Sequence, residues 1–206
     1  MWSSPHHPPG AMALPQVLIE RYRRLFSFYD RDGDGQHRFE QDFAPVARSL
    51  EARWQGRPAR FANLLQLLLS TYQHENSRRD RDHSGTVTLD EFVNSHASVV
   101  AAYQADRDGA RQFIERAAGG FFDVLDVDRD GELELEDLQA FAAAYGHPVE
   151  GIAANLERIL QELDLPAGRL PRDAFLTLVE QYWFDPSPTA PGRLLFSGIP
   201  VGGSAL

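Results

Sequence analysis

The chain has 206 residues, of which 43% are hydrophobic, enough to build the core of one compact domain or of two small lobes. Its 30 acidic and 20 basic residues give a formal net charge of −10, so we expect no nucleic-acid partner, because phosphates attract basic surfaces. Cysteine is absent, which excludes disulfides and thiolate metal sites.

We expect neither a secretory signal nor a membrane span. Segment 1–15 lacks the apolar stretch of a signal peptide, and the most apolar run, 64–69, is too short to cross a bilayer. We therefore expect a cytoplasmic monomer with no membrane partner. All 20 basic residues are arginine, which points to a GC-rich bacterial genome.

Residues 1–14 are rich in proline and show no helical period, so we expect a disordered tail. From Pro15 onward, apolar residues recur at helical spacing and predict a first helix. Its apolar face consists of Leu18, Tyr22, Leu25, Phe26 and Tyr29.

A loop rich in aspartate follows this helix. Asp30, Asp32 and Asp34 stand at positions one, three and five, where alternation can turn three side chains onto one ion. Gly35 at position six allows the sharp turn that brings the carbonyl of Gln36 inward. A hard cation such as Ca²⁺ requires about six to eight oxygen ligands, so the first half of this loop suits one well.

The second half of the first loop departs from this pattern. His37 occupies position eight, where an aliphatic residue is expected, and Gln41 occupies position twelve. Asp42 could close the shell instead if the loop has thirteen residues. Two interpretations remain open, a working cation site and a silent unit that is retained for packing.

The segment 80–91, DRDHSGTVTLDE, matches the cation loop strongly and follows a helix that contains Leu64, Leu68 and Tyr72. This is the pattern of the EF-hand calcium loop, in which a long carboxylate at position twelve closes the shell with both oxygens. The predicted ligands are Asp80, Asp82, Ser84, the carbonyl of Thr86, and Glu91.

A third loop covers 126–137. The segment 106–109 before it is expected to be a linker or a helix start, with Asp108 near an N-cap. Asp137 at position twelve is one methylene shorter than glutamate, which makes octahedral Mg²⁺ a better competitor at this loop. The predicted ligands are Asp126, Asp128, Asp130, the carbonyl of Glu132, and Asp137.

A fourth loop, LDLPAGRLPRDAF at 163–175, keeps the turn glycine Gly168 and the position-eight residue Leu170. Its positions one, three, five and twelve hold leucine or alanine, so we expect no metal there. A single helix–loop–helix unit exposes an apolar face that needs a partner, which explains why a silent unit is retained. We expect Leu133 to face Leu170, and Val87 to face the first loop.

These elements predict an all-α fold with four EF-hand helix–loop–helix units in two pairs, packed into one compact globule with short β-bridges between paired loops. The expected divisions of the chain are a disordered tail at 1–14, an N-terminal EF-hand pair at 15–105, a C-terminal pair at 106–183, and a C-terminal segment packed on the globule at 184–206.

The long, uneven spacing of the loop starts Asp30, Asp80, Asp126 and Leu163 resembles that of the sarcoplasmic calcium-binding proteins and their bacterial relative calerythrin. The ending also resembles theirs, since an apolar segment follows an APG turn at 190–192. The resemblance implies one globule against which the C-terminal segment packs. It also implies Ca²⁺ and Mg²⁺ buffering with one or more inactive hands.

Three functions remain to be weighed. A sensor displays a flexible, Met-rich groove, whereas this chain has two methionines, both in the N-terminal tail, which favours a buffer over a sensor. Related EF-hand photoproteins hold an organic ligand, and Trp54, Tyr182 and Trp183 could line such a space. We rank that interpretation last, and we expect no enzymatic activity because no nucleophile–base pair or phosphate-binding loop is present.

Overall fold

Eight α-helices and four short strands form the computed structural model, which describes residues 13–57 and 63–199. Most of the predicted tail, residues 1–12, therefore lies outside the described residues. The helices are α1 (Gln16–Tyr29), α2 (Ala44–Ala52), α3 (Leu64–Arg79), α4 (Leu89–Ala105), α5 (Arg107–Leu125), α6 (Leu135–Ala144), α7 (Ile152–Glu162) and α8 (Arg172–Phe184). We name the successive helix pairs hands I, II, III and IV.

The loops pair through antiparallel strands, β1 (Gln36–His37) with β2 (Val87–Thr88), and β3 (Glu132–Glu134) with β4 (Arg169–Pro171). His37 lies opposite Val87, and Leu133 lies opposite Leu170. The predicted position-eight pairing is therefore confirmed, and so is the predicted fold class of four paired helix–loop–helix units with short bridges.

The segment 106–109 contains the start of helix α5, one of the two alternatives that the sequence leaves open. The side chain of Asp106 accepts a hydrogen bond from the amide of Gly109 at 2.9 Å, so Asp106 is the N-cap and Asp108 lies in the first turn. The prediction that Asp108 lies near an N-cap is therefore confirmed.

Phe28 of α1 joins the two halves of the chain. Its side chain is fully buried, and its ring centroid lies 4.7–5.3 Å from four other aromatic rings. These rings belong to Phe141, Tyr145, His147 and Phe196. Hand I therefore shares one continuous hydrophobic core with hand III and with residues 194–199 after α8.

Two arginines of α1 hold the segment that follows α8. Arg24 donates to the carbonyls of Phe196 and Ile199 at 2.7 Å each, and Arg21 donates to the carbonyl of Asp185 at 2.6 Å. This segment includes a 3₁₀-helix, Pro191–Leu194, that packs on α8. No helix in the described part of the chain combines the length and the apolarity that a bilayer span requires.

His96 of α4 is a packed core residue, as the sequence predicts. It is buried, it stacks on Tyr22 with ring centroids 4.2 Å apart, and its Nδ1 lies 2.7 Å from the carbonyl oxygen of Phe92. Burial, aided by the charge of Arg79, lowers the pKa of His96 from 6.5 to about 3. The imidazole therefore stays neutral in the folded protein at neutral pH.

Acid should destabilise the fold through His96. Between about pH 6.5 and 3 the unfolded chain binds a proton on this residue and the folded chain does not, so stability is full above pH 6.5 and falls as the pH decreases. We expect His96→Phe to reduce the slope of unfolding free energy against pH by up to about 1.4 kcal/mol per pH unit between pH 6.5 and 5. Urea unfolding of both proteins in chelator checks this, and identical slopes would contradict it.

Candidate metal centres

Hand II shows the simplest of the loop geometries. Asp80, Asp82 and Glu91 each bring one carboxylate oxygen into a group whose members all lie within 4.8 Å of one another. Asp80 is fixed by its own loop, since its two oxygens accept the amides of Ser84 at 3.1 Å and Gly85 at 2.9 Å. Gly85 has a φ of +85°, the left-handed conformation that the turn requires and that glycine adopts freely.

Glu91 ties the end of this loop to its beginning. One carboxylate oxygen accepts the amide of Arg81 at 3.0 Å, and the other accepts the amide of Thr88 at 2.9 Å. The hydroxyl of Thr88 accepts the amide of Glu91 in return, which completes a capping box at the start of α4. The hydrogen bond from Thr88 lowers the pKa of Glu91, so the carboxylate is charged at neutral pH.

The other two predicted hand II ligands lie beside this group. The hydroxyl of Ser84 contacts the hydroxyl of Thr86 at 3.1 Å and its carbonyl oxygen at 3.4 Å. Both residues therefore present oxygens on the same short stretch of loop. The donor set of hand II consists of oxygen atoms alone, which suits a hard divalent cation such as Ca²⁺ or Mg²⁺.

Hand I reaches the same arrangement with one extra residue. A π-helix, Phe39–Phe43, absorbs the insertion before α2. It turns Asp42 inward and buries it, while Gln41 remains exposed. Asp42 accepts the amides of Arg31 at 2.8 Å and Arg38 at 2.7 Å, at the loop positions whose amides Glu91 accepts in hand II.

Asp42 lies in one cluster with Asp30 and Asp32, again within 4.8 Å. Burial raises the pKa of Asp42 to about 6, and it raises the pKa of Asp30 as well. Asp34 is instead paired with the side chain of Arg38, which also donates to the side chain of Gln36. The sequence leaves open whether Gln41 or Asp42 closes the hand I loop. This geometry favours Asp42.

His37, at position eight of the hand I loop, packs inside the hydrophobic core. It is fully buried, it stacks on Phe26 with centroids 4.0 Å apart, and its Nε2 lies 2.8 Å from the carbonyl oxygen of the same residue. Burial lowers its pKa to about 4, so the ring is neutral and packs as an apolar group. The departure at this position therefore leaves the β-bridge intact.

Hand III gathers Asp126, Asp128 and Asp130 within 4.8 Å of one another, and Asp126 is buried. Asp126 accepts the amides of Arg129 at 2.7 Å and Gly131 at 3.0 Å. Burial raises the pKa of Asp126. As in hand II, the first aspartate accepts the amide of the position-six glycine, but its other contact is with the amide at position four instead of position five.

The closing carboxylate of hand III is held differently. One oxygen of Asp137 accepts the amide of Glu134 at 2.9 Å, and the other lies 2.6 Å from the guanidinium of Arg53. A second guanidinium, that of Arg169, lies 2.8 Å from Asp130 and 3.1 Å from the side chain of Glu132. Sequence reasoning missed both arginines, since neither lies in the loop or belongs to its pattern.

Hand IV supplies no such group. The three acidic clusters of the described residues all lie in hands I, II and III. At the corresponding positions hand IV has the apolar residues Leu163, Leu165, Ala167 and Ala174. Its contribution to the sites is the strand β4, which pairs with the loop of hand III.

Comparisons with known proteins agree with this geometry. A family model described as EF hand matches residues 120–142. The probable calcium-binding protein CML17 of Oryza sativa subsp. japonica is 28% identical over 144 residues, which is 69% of this chain and 79% of that protein.

Two solved structures share the fold. Apoaequorin in complex with (S)-HM-daCTZ has a TM-score of 0.65 at 16% identity, over 95% of this chain and 100% of the other. A sarcoplasmic calcium-binding protein from amphioxus has a TM-score of 0.56 at 16% identity, over 89% of this chain and 98% of the other. The predicted resemblance is confirmed: residues 120–142 match the EF-hand model, and the chain is similar in fold to a sarcoplasmic calcium-binding protein.

Proposed function

We propose that this protein binds Ca²⁺ at hands I, II and III and acts as a calcium buffer. The main observation in support of this proposal is that each of these loops brings three carboxylate oxygens within 4.8 Å of one another. Clustered carboxylates repel one another, and a bound divalent cation would neutralise them. The proposed ligand residues are Asp30, Asp32, Asp34, Gln36 and Asp42, then Asp80, Asp82, Ser84, Thr86 and Glu91, then Asp126, Asp128, Asp130, Glu132 and Asp137.

A buffer is favoured over a sensor because the apolar faces of the helices are buried against one another. Among the described residues, the large hydrophobic side chains exposed to solvent are Leu67 and Phe113. These two residues do not form the methionine-rich groove that a sensor presents to its partners. The two halves are also tied together, as the indole of Trp54 donates to the carbonyl of Val124 at 3.0 Å. Separating the helices of this protein would therefore disrupt its hydrophobic core instead of exposing a preformed binding groove.

The aromatic residues considered for an organic ligand are engaged by the protein itself. Trp54 is hydrogen-bonded to Val124, and the hydroxyl of Tyr182 donates to the carbonyl of Arg21 at 2.7 Å. Trp183 packs against Tyr182 with centroids 4.9 Å apart. We therefore propose ion binding without catalysis, by a monomer in the cytoplasm.

Calorimetric titration of metal-stripped protein with Ca²⁺, with and without millimolar Mg²⁺, tests the buffer. We expect dissociation constants of about 10⁻⁹–10⁻⁷ M that Mg²⁺ weakens, most strongly at hand III because of the short Asp137. Micromolar sites that are indifferent to Mg²⁺ would favour a sensor. A dye that reports exposed apolar surface should change little when Ca²⁺ is added to the Mg²⁺-loaded protein, and a large increase would contradict the closed globule.

Hand III should also depend on its silent partner. Leu170 and Leu133 are both buried where β3 and β4 meet, so Leu170→Asp places an uncompensated charge against the loop without touching a ligand. We expect the Ca²⁺ affinity of hand III to fall about 10- to 100-fold, the range typical of groups that support metal ligands. Leu170→Val is the matched control, and equal affinities in the two variants would disprove the dependence.

A further inference from the structure

We infer that Arg53, at the end of the exit helix of hand I, is an affinity-determining residue of hand III, where it competes as an internal cation for the carboxylate of Asp137. This inference rests on the proposed calcium binding. Arg53 is the C-cap residue of α2, the exit helix of hand I, and its guanidinium lies 2.6 Å from Asp137. Asp137 closes a loop in the other half of the chain.

Comparison of the three closing carboxylates shows what Arg53 replaces. Glu91 and Asp42 each accept one amide from position two of their own loop, that of Arg81 or Arg31. Each also accepts the amide at position nine. Asp137 keeps the position-nine contact, with Glu134, but its other oxygen is bound to Arg53. The guanidinium therefore stands where hands I and II use a loop amide.

Arg53 is held in place by more than one contact. Its second terminal nitrogen donates to the carbonyl of Leu125 at 3.1 Å, the last residue of α5 before the loop. The adjacent Trp54 donates to Val124, one residue earlier. A single side chain thus bridges the entrance and the closing residue of the hand III loop, and a fixed guanidinium fork suits this role better than a flexible ammonium would.

Burial makes this contact stronger than the other arginine contact at hand III. The side chains of Arg53 and Asp137 are 20% and 12% exposed, whereas that of Arg169 is 53% exposed. An ion pair screened by water contributes little, and one partly removed from water contributes more. Arg169 therefore modulates the loop weakly, and Arg53 is the main competitor.

Hand II has no such competitor among the described residues, whose ion pairs do not involve Asp80, Asp82 or Glu91. To serve as a ligand through both oxygens, Asp137 must first release Arg53. That release removes a contact between α2 and hand III. Hand II should fill before hand III, and filling hand III should loosen the end of α2.

Amide NMR of the full-length protein during a Ca²⁺ titration can follow each hand separately. The position-six glycines Gly35, Gly85 and Gly131 each donate their amide to the first aspartate of their own loop. In Arg53→Gln we expect the Gly131 signal to respond at about tenfold lower Ca²⁺, with Gly85 unchanged. Arg158→Gln, which removes an exposed arginine paired with Glu162, is the matched control and should shift none of them.

The outcomes separate the inference from the proposed function. A Gly131 response at equal or higher Ca²⁺ in Arg53→Gln, or no response of Gly131 in either protein, overturns the competition while Gly85 still reports binding. A wild-type chain in which no glycine responds overturns the proposed function instead. Arg53→Lys retains the charge but cannot bridge both contacts, so it should increase the Ca²⁺ affinity of hand III by only a few fold. This variant replaces Arg53→Gln in the test if the glutamine variant does not fold.

Discussion

Replacing Glu91 with glutamine should remove the proposed high-affinity calcium binding at hand II and leave hand III able to bind. Glu91 is the residue whose two oxygens bind the amides at both ends of its loop, and its carboxylate is charged at neutral pH. Glutamine keeps the size of the side chain but removes the charge and one of the two acceptors. Because calcium affinity depends on the number of charged ligands, we expect a loss of about a hundredfold or more.

The Gly85 and Gly131 amide signals again report the two hands separately. The control is Asp90→Asn, which makes the same change of charge at the neighbouring exposed residue of α4. The expected result is a Gly85 response displaced to much higher Ca²⁺ in Glu91→Gln alone. A joint loss of the Gly131 response would show that hands II and III bind as one unit, which would contradict the expected independence of the two sites.

Truncation of Phe28 to alanine should destabilise the whole protein rather than one hand. Phe28 is fully buried and lies within 5.3 Å, between ring centroids, of aromatic residues from hand III and the C-terminal segment. Removing a buried phenylalanine loses its transfer free energy and leaves a cavity, at a cost of about 3–5 kcal/mol. We expect a single cooperative unfolding transition at correspondingly lower urea concentration.

Phe113→Ala is the matched control because that side chain is 56% exposed on α5. Its effect on the free energy of unfolding should stay within about 0.5 kcal/mol. Both variants are measured in chelator, so that metal binding does not mask the difference. A loss below about 1 kcal/mol in Phe28→Ala would contradict a core shared between the two halves.

The sequence predicted the local parts of this molecule well for a physical reason. An EF-hand loop places its ligands within twelve consecutive residues, so the spacing of Asp80, Asp82 and Glu91 specifies their convergence directly. The same frame predicted the pairing of Leu133 with Leu170. In hand I the thirteen-residue alternative indicated Asp42, but only the π-helix shows how the extra residue is absorbed.

Contacts between distant segments could not be predicted in this way. Arg53 and Asp137 are 84 residues apart, and no periodicity links the end of one helix to the loop of another hand. Two arginines of α1, Arg21 and Arg24, likewise donate to carbonyls that are 164 and 175 residues away. Such contacts depend on how the helix pairs pack, which a single sequence does not specify.

The most direct test of the central claim is the number of calcium ions that the wild-type chain holds. Equilibrium dialysis of metal-stripped protein against radioactive Ca²⁺, at free concentrations from nanomolar to about 10⁻⁵ M, measures it without assuming a mechanism. We predict three ions per chain, one each for hands I, II and III. A plateau at two ions per chain would show that hand I or hand III does not bind calcium. The absence of bound calcium would contradict the proposed function.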